Sequence, residues 1–407
     1  MKNSAEILSP AAILLRNLIK CPSVTPAEGG ALDVLQNELE TLGFKVVRKV
    51  FSTPDTPDVE NLYARIGDTA PNLCFAGHTD VVPVGDEDAW SQPPFQGAIT
   101  DGMMIGRGAV DMKGGIACFV AAVKRVLDGG KPNPGSISLL ITGDEEGPAV
   151  NGTKAILEWL TEQGEQIDAC VVGEPTNPES IGDAIKIGRR GSISGTIYVT
   201  GIQGHAAYPH LADNPARGIV ALTEALLKQP FDEGTADFQP TNLEVTSIDI
   251  GNSAFNVIPN KASARFNIRF NDTWTADSLK AEIERRLNEA ANDPKLRPAL
   301  GSGPRSPVEY TLKYEMRPSH VFLTQDEQLI ASLSSAIQTV TNRRPDLSTG
   351  GGTSDARFIK DACPVVEFGL VGQTMHQIDE RVAVADLDVL TDIYQQFIAN
   401  FFDREPS

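Results

Sequence analysis

Short apolar runs alternate with amphipathic stretches along the first part of the chain, and that rhythm predicts an α/β layout. Residues 8–20 and 31–42 repeat apolar positions every three or four residues, the mark of a helix with one buried face, and Gly43 closes the second. The runs at 44–51, 61–66 and 72–77 have the length and apolar content of strands. A helix is expected from near Met112 to Gly129, followed by a strand at 136–142, a helix at 152–163 and a strand at 168–173. Strands alternating with helices predict a mixed, mostly parallel sheet flanked by helices. The Pro- and Gly-rich stretch 83–110 reads as an ordered loop with little regular structure.

The style changes after residue 191. The segments SISGTIYVTG, NPARGIVALTEALLKQ, NLEVTSIDIG, KASARFNIRF, TADSLKAEIERRLNEA and VEYTLKYEM read as strand, helix, strand, strand, helix and strand. That order is the signature of a ferredoxin-like α+β unit. Helix 326–340, strand 364–370 and helix 384–402 then resume the first style. Residues 192–319 therefore read as a small domain inserted into a discontinuous one made of 1–191 and 320–407. Such an insertion lets residues near 376 share a site with residues near 78. The stretch 294–308 reads as a loop.

Composition narrows the function. A chain of 407 residues exceeds the usual size of one core, in keeping with two domains. The net charge of −19 disfavours nucleic acid and anionic membrane, since both need clustered basic surface. No apolar run has the length of a membrane span, and the N-terminal stretch lacks a signal-peptide core. A cytoplasmic enzyme with a small-molecule substrate is expected. The five cysteines are scattered and form no CxxC, which suits small core residues better than a disulfide or thiolate site.

Ionisable residues end several of the apolar runs, and strand ends are where α/β proteins place their chemistry. His78 and Asp80 follow NLCFAG, Glu145 and Glu146 follow ISLLITGD, and Glu174 follows DACVVG. Asp111 lies in GRGAVDMKGG, where it either caps the following helix or serves a site. His376 follows CPVVEFGLVGQTM. Adjacent carboxylates at 145 and 146 repel unless something positive holds them, and neighbouring residues divide their directions. Two imidazoles with three carboxylates form an N/O donor set for Zn, Co or Mn, and one Asp is able to bridge two ions. Charge favours two: +4 from two divalent ions against −3 from Asp111, Glu146 and Glu174 leaves the positive excess that activates water. Glu145 is left over as a base.

The segments GHTDVVPVG, GRGAVDMKGG, GDEEGPAVNGT, GEPT, GHAAYPHLADNP, NVIPN and GGTSDARFI occur in that order and together closely resemble the M20 metallopeptidase family over nearly the whole chain. The resemblance implies a zinc-peptidase-like catalytic domain and hydrolysis of an N-acylated amino acid. It implies two Zn²⁺ per subunit, with Co²⁺ able to take the second place. His78 and Glu174 would hold one ion, Glu146 and His376 the other, and Asp111 would bridge. Glu145 would be the general base and Asp80 would orient His78. A cis peptide would follow Asp111. The inserted unit would act as dimerisation and lid domain of a homodimer, with His205 reaching the partner's site to stabilise an oxyanion. Arg189, Tyr208, Asn256, Arg269, Gly352 and Thr353 would contact substrate. From the residues alone, Arg189 and Arg190 read equally well as a solvated hinge pair. His210 and His320 are left as surface or structural residues.

Overall fold

The run NLCFAGH forms strand Asn72–His78, buried along its whole length, in the middle of an eight-stranded sheet. The computed structural model describes residues 8–130, 135–293 and 307–403; most of the loop expected at 294–308 lies outside them. The described chain divides into two compact units. One comprises Met1–Gly188, Leu323–Ser348 and Ser354–Ser407; the other comprises Arg189–Phe322 and Thr349–Thr353.

In the larger unit the strands run in the order Lys45–Phe51, Val59–Ile66, Ser136–Thr142, Asn72–His78, Ala169–Val172, Val365–Glu367, Ala184–Lys186, Asp346–Ser348. The four from Ser136–Thr142 to Val365–Glu367 pair in parallel, and antiparallel pairs flank them. Strands buried on both faces need apolar residues at nearly every position, which is why these segments read as runs and not as alternation. Register sets where the loops begin. His78 lies opposite Thr142, and Ala76 opposite Val172. The carboxyl ends of three strands therefore meet one edge of the sheet, and the loops leaving them start together.

Helices Pro10–Ile19, Lys113–Asp128 and Val384–Phe402 join the same apolar core as Phe75, Val171 and Val366. Tyr394 sits among Phe75, Phe119 and Phe368, edge-on to each, and its hydroxyl donates to the Phe368 carbonyl. All five cysteines are buried and unpaired, as small core residues. Helix Lys113–Asp128 approaches the sheet closely because its first turn is Gly114–Gly115. A Cβ at Gly115 would lie 2.4 Å from the Gly173 carbonyl oxygen.

The smaller unit has a four-stranded antiparallel sheet in the order Asn242–Asp249, Lys261–Phe270, Gly191–Thr200, Tyr310–Ser319. Helices Pro215–Leu227 and Ala276–Ala291 pack their apolar stripes on its apolar face through Ile219, Leu222, Ile283 and Leu287. Thr349–Thr353 belongs here through two contacts. Thr349 Oγ1 donates to the Asp237 carbonyl, and Arg189 Nη1 donates to the Gly352 carbonyl at 3.0 Å.

The stretch 83–110 is more regular than expected. Ala98–Thr100 and Met103–Ile105 form a hairpin, and Arg381–Ala383 adds a third strand. Its two-residue turn is Asp101-Gly102, both at positive φ (51° and 76°), the Asp-Gly signal for a tight hairpin. Three-residue strands are too short to show alternation. The strand expected at 364–370 shortens to Val365–Glu367, because the chain beyond it turns into the loop that carries His376.

Candidate metal centre

Three strand ends and two loops bring seven predicted residues of the larger unit to one place. His78 is 1% exposed. Its Nδ1 lies 2.9 Å from the Asp80 carbonyl oxygen, which only accepts, so Nδ1 carries a proton and Nε2 is the atom offered to a cation. The Asp80 carboxylate is farther from that ring, at 3.6 Å. It works chiefly elsewhere, accepting from the N–H groups of Glu145 (3.3 Å) and Glu146 (3.0 Å). Asp80 thus ties the end of one strand to the acidic loop after its neighbour. Burial pushes its carboxyl up to about 6 against the pull of His78.

Asp111 does not cap the helix: Met112 holds that position, with no side-chain cap bond. The Asp111–Met112 peptide is cis. Asp111 Oδ1 lies 3.2 Å from His78 Nε2, and Oδ2 lies 3.1 Å from His376 Nε2. One carboxylate therefore addresses both imidazoles, one oxygen to each. Glu174 Oε1 joins the first side, 3.8 Å from His78 Nε2, and Glu146 Oε1 joins the second, 2.8 Å from His376 Nε2. Oxygens of Glu145 and Glu174 and a His78 nitrogen all lie within 4.8 Å of one another, so Glu145 turns towards the first side and Glu146 towards the second. His376 adopts φ +62°, a left-handed conformation that is uncommon for a residue with a side chain and is characteristic of functional loops.

These donors fit divalent ions. His78 Nε2 and Asp111 Oδ1 are both buried and neither makes a well-aligned hydrogen bond, although they face each other. Two ligands about 2.1 Å from one ion at tetrahedral or right angles stand about 3.0–3.4 Å apart, which matches this spacing. Among the described residues, Asp80, Asp111 and Glu146 form ion pairs with His78 and His376 alone. Without a metal, protons on the imidazoles balance the carboxylates. Hydrogen bonds to Asp111 and Glu146 push His376 up to about 10. Burial opposes charge on His78, yet Asp111, Asp80 and Glu145 outweigh it and raise its pKa. Burial would raise Asp111, but the two imidazoles hold it well below the usual range. Burial and then the Glu174 charge raise Glu145 well above its ordinary value.

The model of peptidase family M20/M25/M40 matches residues 74–400, a span that takes in the whole cluster. The chain belongs to this family. Solved structures of similar fold include human carnosine dipeptidase 1, with a TM-score of 0.72 and 18% identity over 97% of this chain and 96% of that one. The M20 metallo-carboxypeptidase Sso-CP2 of Sulfolobus solfataricus matches with a TM-score of 0.75 and 17% identity over 97% and 100%. The YXEP protein of Bacillus subtilis, a dinuclear metal-binding peptidase of the M20 family, matches with a TM-score of 0.65 and 14% identity over 97% and 98%. The protein is thus a hydrolase of the M20 peptidase family, and no helix among its described residues is long and apolar enough to cross a membrane.

The remaining predicted residues of this M20 peptidase lie in the smaller unit. His205 is exposed, and its Nδ1 accepts from the Ala207 N–H at 3.0 Å, which leaves the proton on Nε2 as an outward donor. Tyr208 stands beside it, ring centroids 5.6 Å apart, and the Asn256 carbonyl accepts from the Ala206 N–H at 2.9 Å. Arg189 is buried against Gly352, next to Thr353. Arg269 lies opposite both Ser192 and Asn242 on neighbouring strands, with Nε donating to Asn267 and a buried Nη1 that lacks a hydrogen-bond partner. Arg190 is half-buried, donates to Asn242 at 2.8 Å and leaves its own Nε unpartnered, and it stands at the start of the smaller unit. Burial and the Arg190 charge lower the Arg269 pKa.

Two residues that the sequence did not single out are Arg107 and Glu380, both fully buried beside Asp111 and His376. The available signal was an arginine and a glutamate inside the very motifs that carry those ligands, GRGAVD and HQIDE, where a buried charge needs a partner.

Proposed function

We propose that the protein is a two-metal amidohydrolase that cleaves N-succinyl-LL-2,6-diaminopimelate into LL-2,6-diaminopimelate and succinate. That is the desuccinylase step of lysine and diaminopimelate synthesis. The observation that carries the two-metal reading is Asp111, whose oxygens stand 3.2 and 3.1 Å from the Nε2 atoms of two different histidines. The choice of substrate is supported by EEGPAVNGT, HAAYPHLADNP and GGTSDARF, which resemble the desuccinylase branch of the family. It is supported further by Arg269, whose buried Nη1 makes no hydrogen bond, since guanidinium is the best-matched partner of a carboxylate and the substrate is rich in carboxylates.

In this reading His78 and Glu174 would hold one zinc, Glu146 and His376 the other, with Asp111 shared, and cobalt would be accepted in the second place. The ions, when bound, lower the pKa of water and polarise the amide carbonyl. Glu145 takes a proton from the attacking water and passes it to the leaving amine. Asp80 holds the Glu145–Glu146 backbone in place and fixes the turn that orients His78. His205 donates from Nε2 to the oxyanion of the partner's site in a homodimer built through the smaller unit. Arg189, Arg269, Tyr208, Asn256, Gly352 and Thr353 receive the polar ends of the substrate.

A panel of N-succinyl-LL-diaminopimelate, N-acetylornithine and a dipeptide, assayed with zinc and after chelation, tests this. The succinylated substrate is expected to exceed the others by about 10²-fold or more in kcat/KM, because a site built for a carboxylate rejects analogues that leave its donors unpaired. Preference for N-acetylornithine or the dipeptide would move the protein to a deacetylase or dipeptidase reading. Turnover that survives complete chelation would end the metal assignment.

A further inference from the structure

Arg107 and Glu380 form an ion pair at 2.8 Å, with 2% and 0% of their side chains exposed. Neither is a ligand or a base, yet each is one hydrogen bond from a ligand residue. Glu380 Oε1 accepts from the N–H groups of Val110 (2.8 Å) and Asp111 (3.1 Å), and Oε2 accepts from Gly108 (3.1 Å) and Arg107. Arg107 Nη1 donates to the Gln377 carbonyl (3.2 Å), and Nη2 donates to those of His376 (3.4 Å) and Pro83 (3.3 Å). The Trp90 ring lies 5.2 Å from the guanidinium carbon. One partner thus grips the backbone of Asp111, the other grips the backbone of His376, and the pair joins the two grips.

We propose that the Arg107–Glu380 pair is a positioning device that sets the spacing between Asp111 and His376, and through it the binding of the ion on the His376–Glu146 side. This rests on the two-metal reading above. The His78–Glu174 side needs no such device. His78 ends one strand and Glu174 closely follows the next, and the parallel ladder between those strands already fixes them. His376 instead sits in a loop at φ +62° and has no ladder of its own. Four donors converge on the two Glu380 oxygens. A Gln there keeps one acceptor oxygen and turns two N–H donors onto donors. A Lys at 107 keeps the charge but cannot span a carboxylate and several carbonyls, as a planar fork does.

The test uses the full-length chain and calorimetric zinc titration in two backgrounds, Glu174→Ala and His376→Ala, each leaving one side intact. Adding Glu380→Gln to Glu174→Ala is expected to weaken zinc binding by about 10–100-fold, the usual effect of losing a group that supports a ligand. Adding it to His376→Ala is expected to cost less, no more than about 3-fold, since the spacing between Asp111 and His376 no longer matters there and only the grip on the Asp111 backbone is lost. Equal losses in both backgrounds, or none in either, would overturn the proposal, because loss of general stability does not choose a side. Circular dichroism reports folding. If Glu380→Gln does not fold, Arg107→Lys is placed in the same backgrounds, with the same asymmetry expected and the same results against it. A parent chain that binds no zinc would instead end the two-metal reading, an outcome distinct from two ions bound and no asymmetry.

Discussion

The chemistry of the site is set by which atom of each residue faces which neighbour. His78 spends Nδ1 on a carbonyl, while His205 spends Nδ1 on an N–H. The atoms left over are therefore opposite in kind: a nitrogen free for a cation in one, an N–H donor in the other. His376 adds a consequence for pH. With its metal-free pKa at about 10, it is protonated at neutral pH and must lose that proton to bind zinc. Zinc binding at pH 7 to 8 is therefore expected to release at least about one proton and to tighten as pH rises. Titrations in buffers of different ionisation enthalpy measure this directly. Heats that do not depend on the buffer would mean that His376 is neutral before the metal arrives.

At the scale of elements, the site depends on how closely helix Lys113–Asp128 meets the strand ends. Gly115 permits that approach to the Gly173 carbonyl, next to Glu174. Gly115→Ala is expected to cost about 1–3 kcal/mol as overpacking against rigid backbone. For a chain of this size that lowers Tm by several degrees. It should also weaken zinc binding, since Asp111 precedes the displaced helix and Glu174 comes directly after the displaced carbonyl. An unchanged melting curve would show that the contact yields easily. The long elements and the ligand-bearing strand ends were legible in the sequence because a fully buried strand has to be apolar throughout, and a charged residue at its end is conspicuous. The short strands Ala184–Lys186, Asp346–Ser348 and Arg381–Ala383 were not, since three residues carry no period. Arg107 and Glu380 were hidden for another reason. The two lie about 270 residues apart in the chain, and only the fold shows the charges to be paired.

At the scale of the molecule, the homodimer proposed above makes a test that no single chain passes. His205→Ala and Glu145→Gln are each expected to lose about 10²-fold or more in turnover. Mixed after subunit exchange, they should recover up to about a quarter of parental activity, because one of the two sites in each mixed dimer draws both intact residues. No recovery after verified exchange would place His205 in its own chain's site, or in none. The strand order of the large sheet has a further consequence, for synthesis. Val365–Glu367 lies between Ala169–Val172 and Ala184–Lys186, so the sheet has a gap until the C-terminal part is made. At about 5–20 residues per second, the roughly 190 residues from Val172 to Val365 take about 10–40 s to emerge from the ribosome. Through that interval the nascent chain carries an unpaired, wholly apolar parallel edge at Ala169–Val172, the kind of surface that recruits other chains. Shortening that interval, or covering that edge with a chaperone, is therefore expected to raise the soluble yield of the protein.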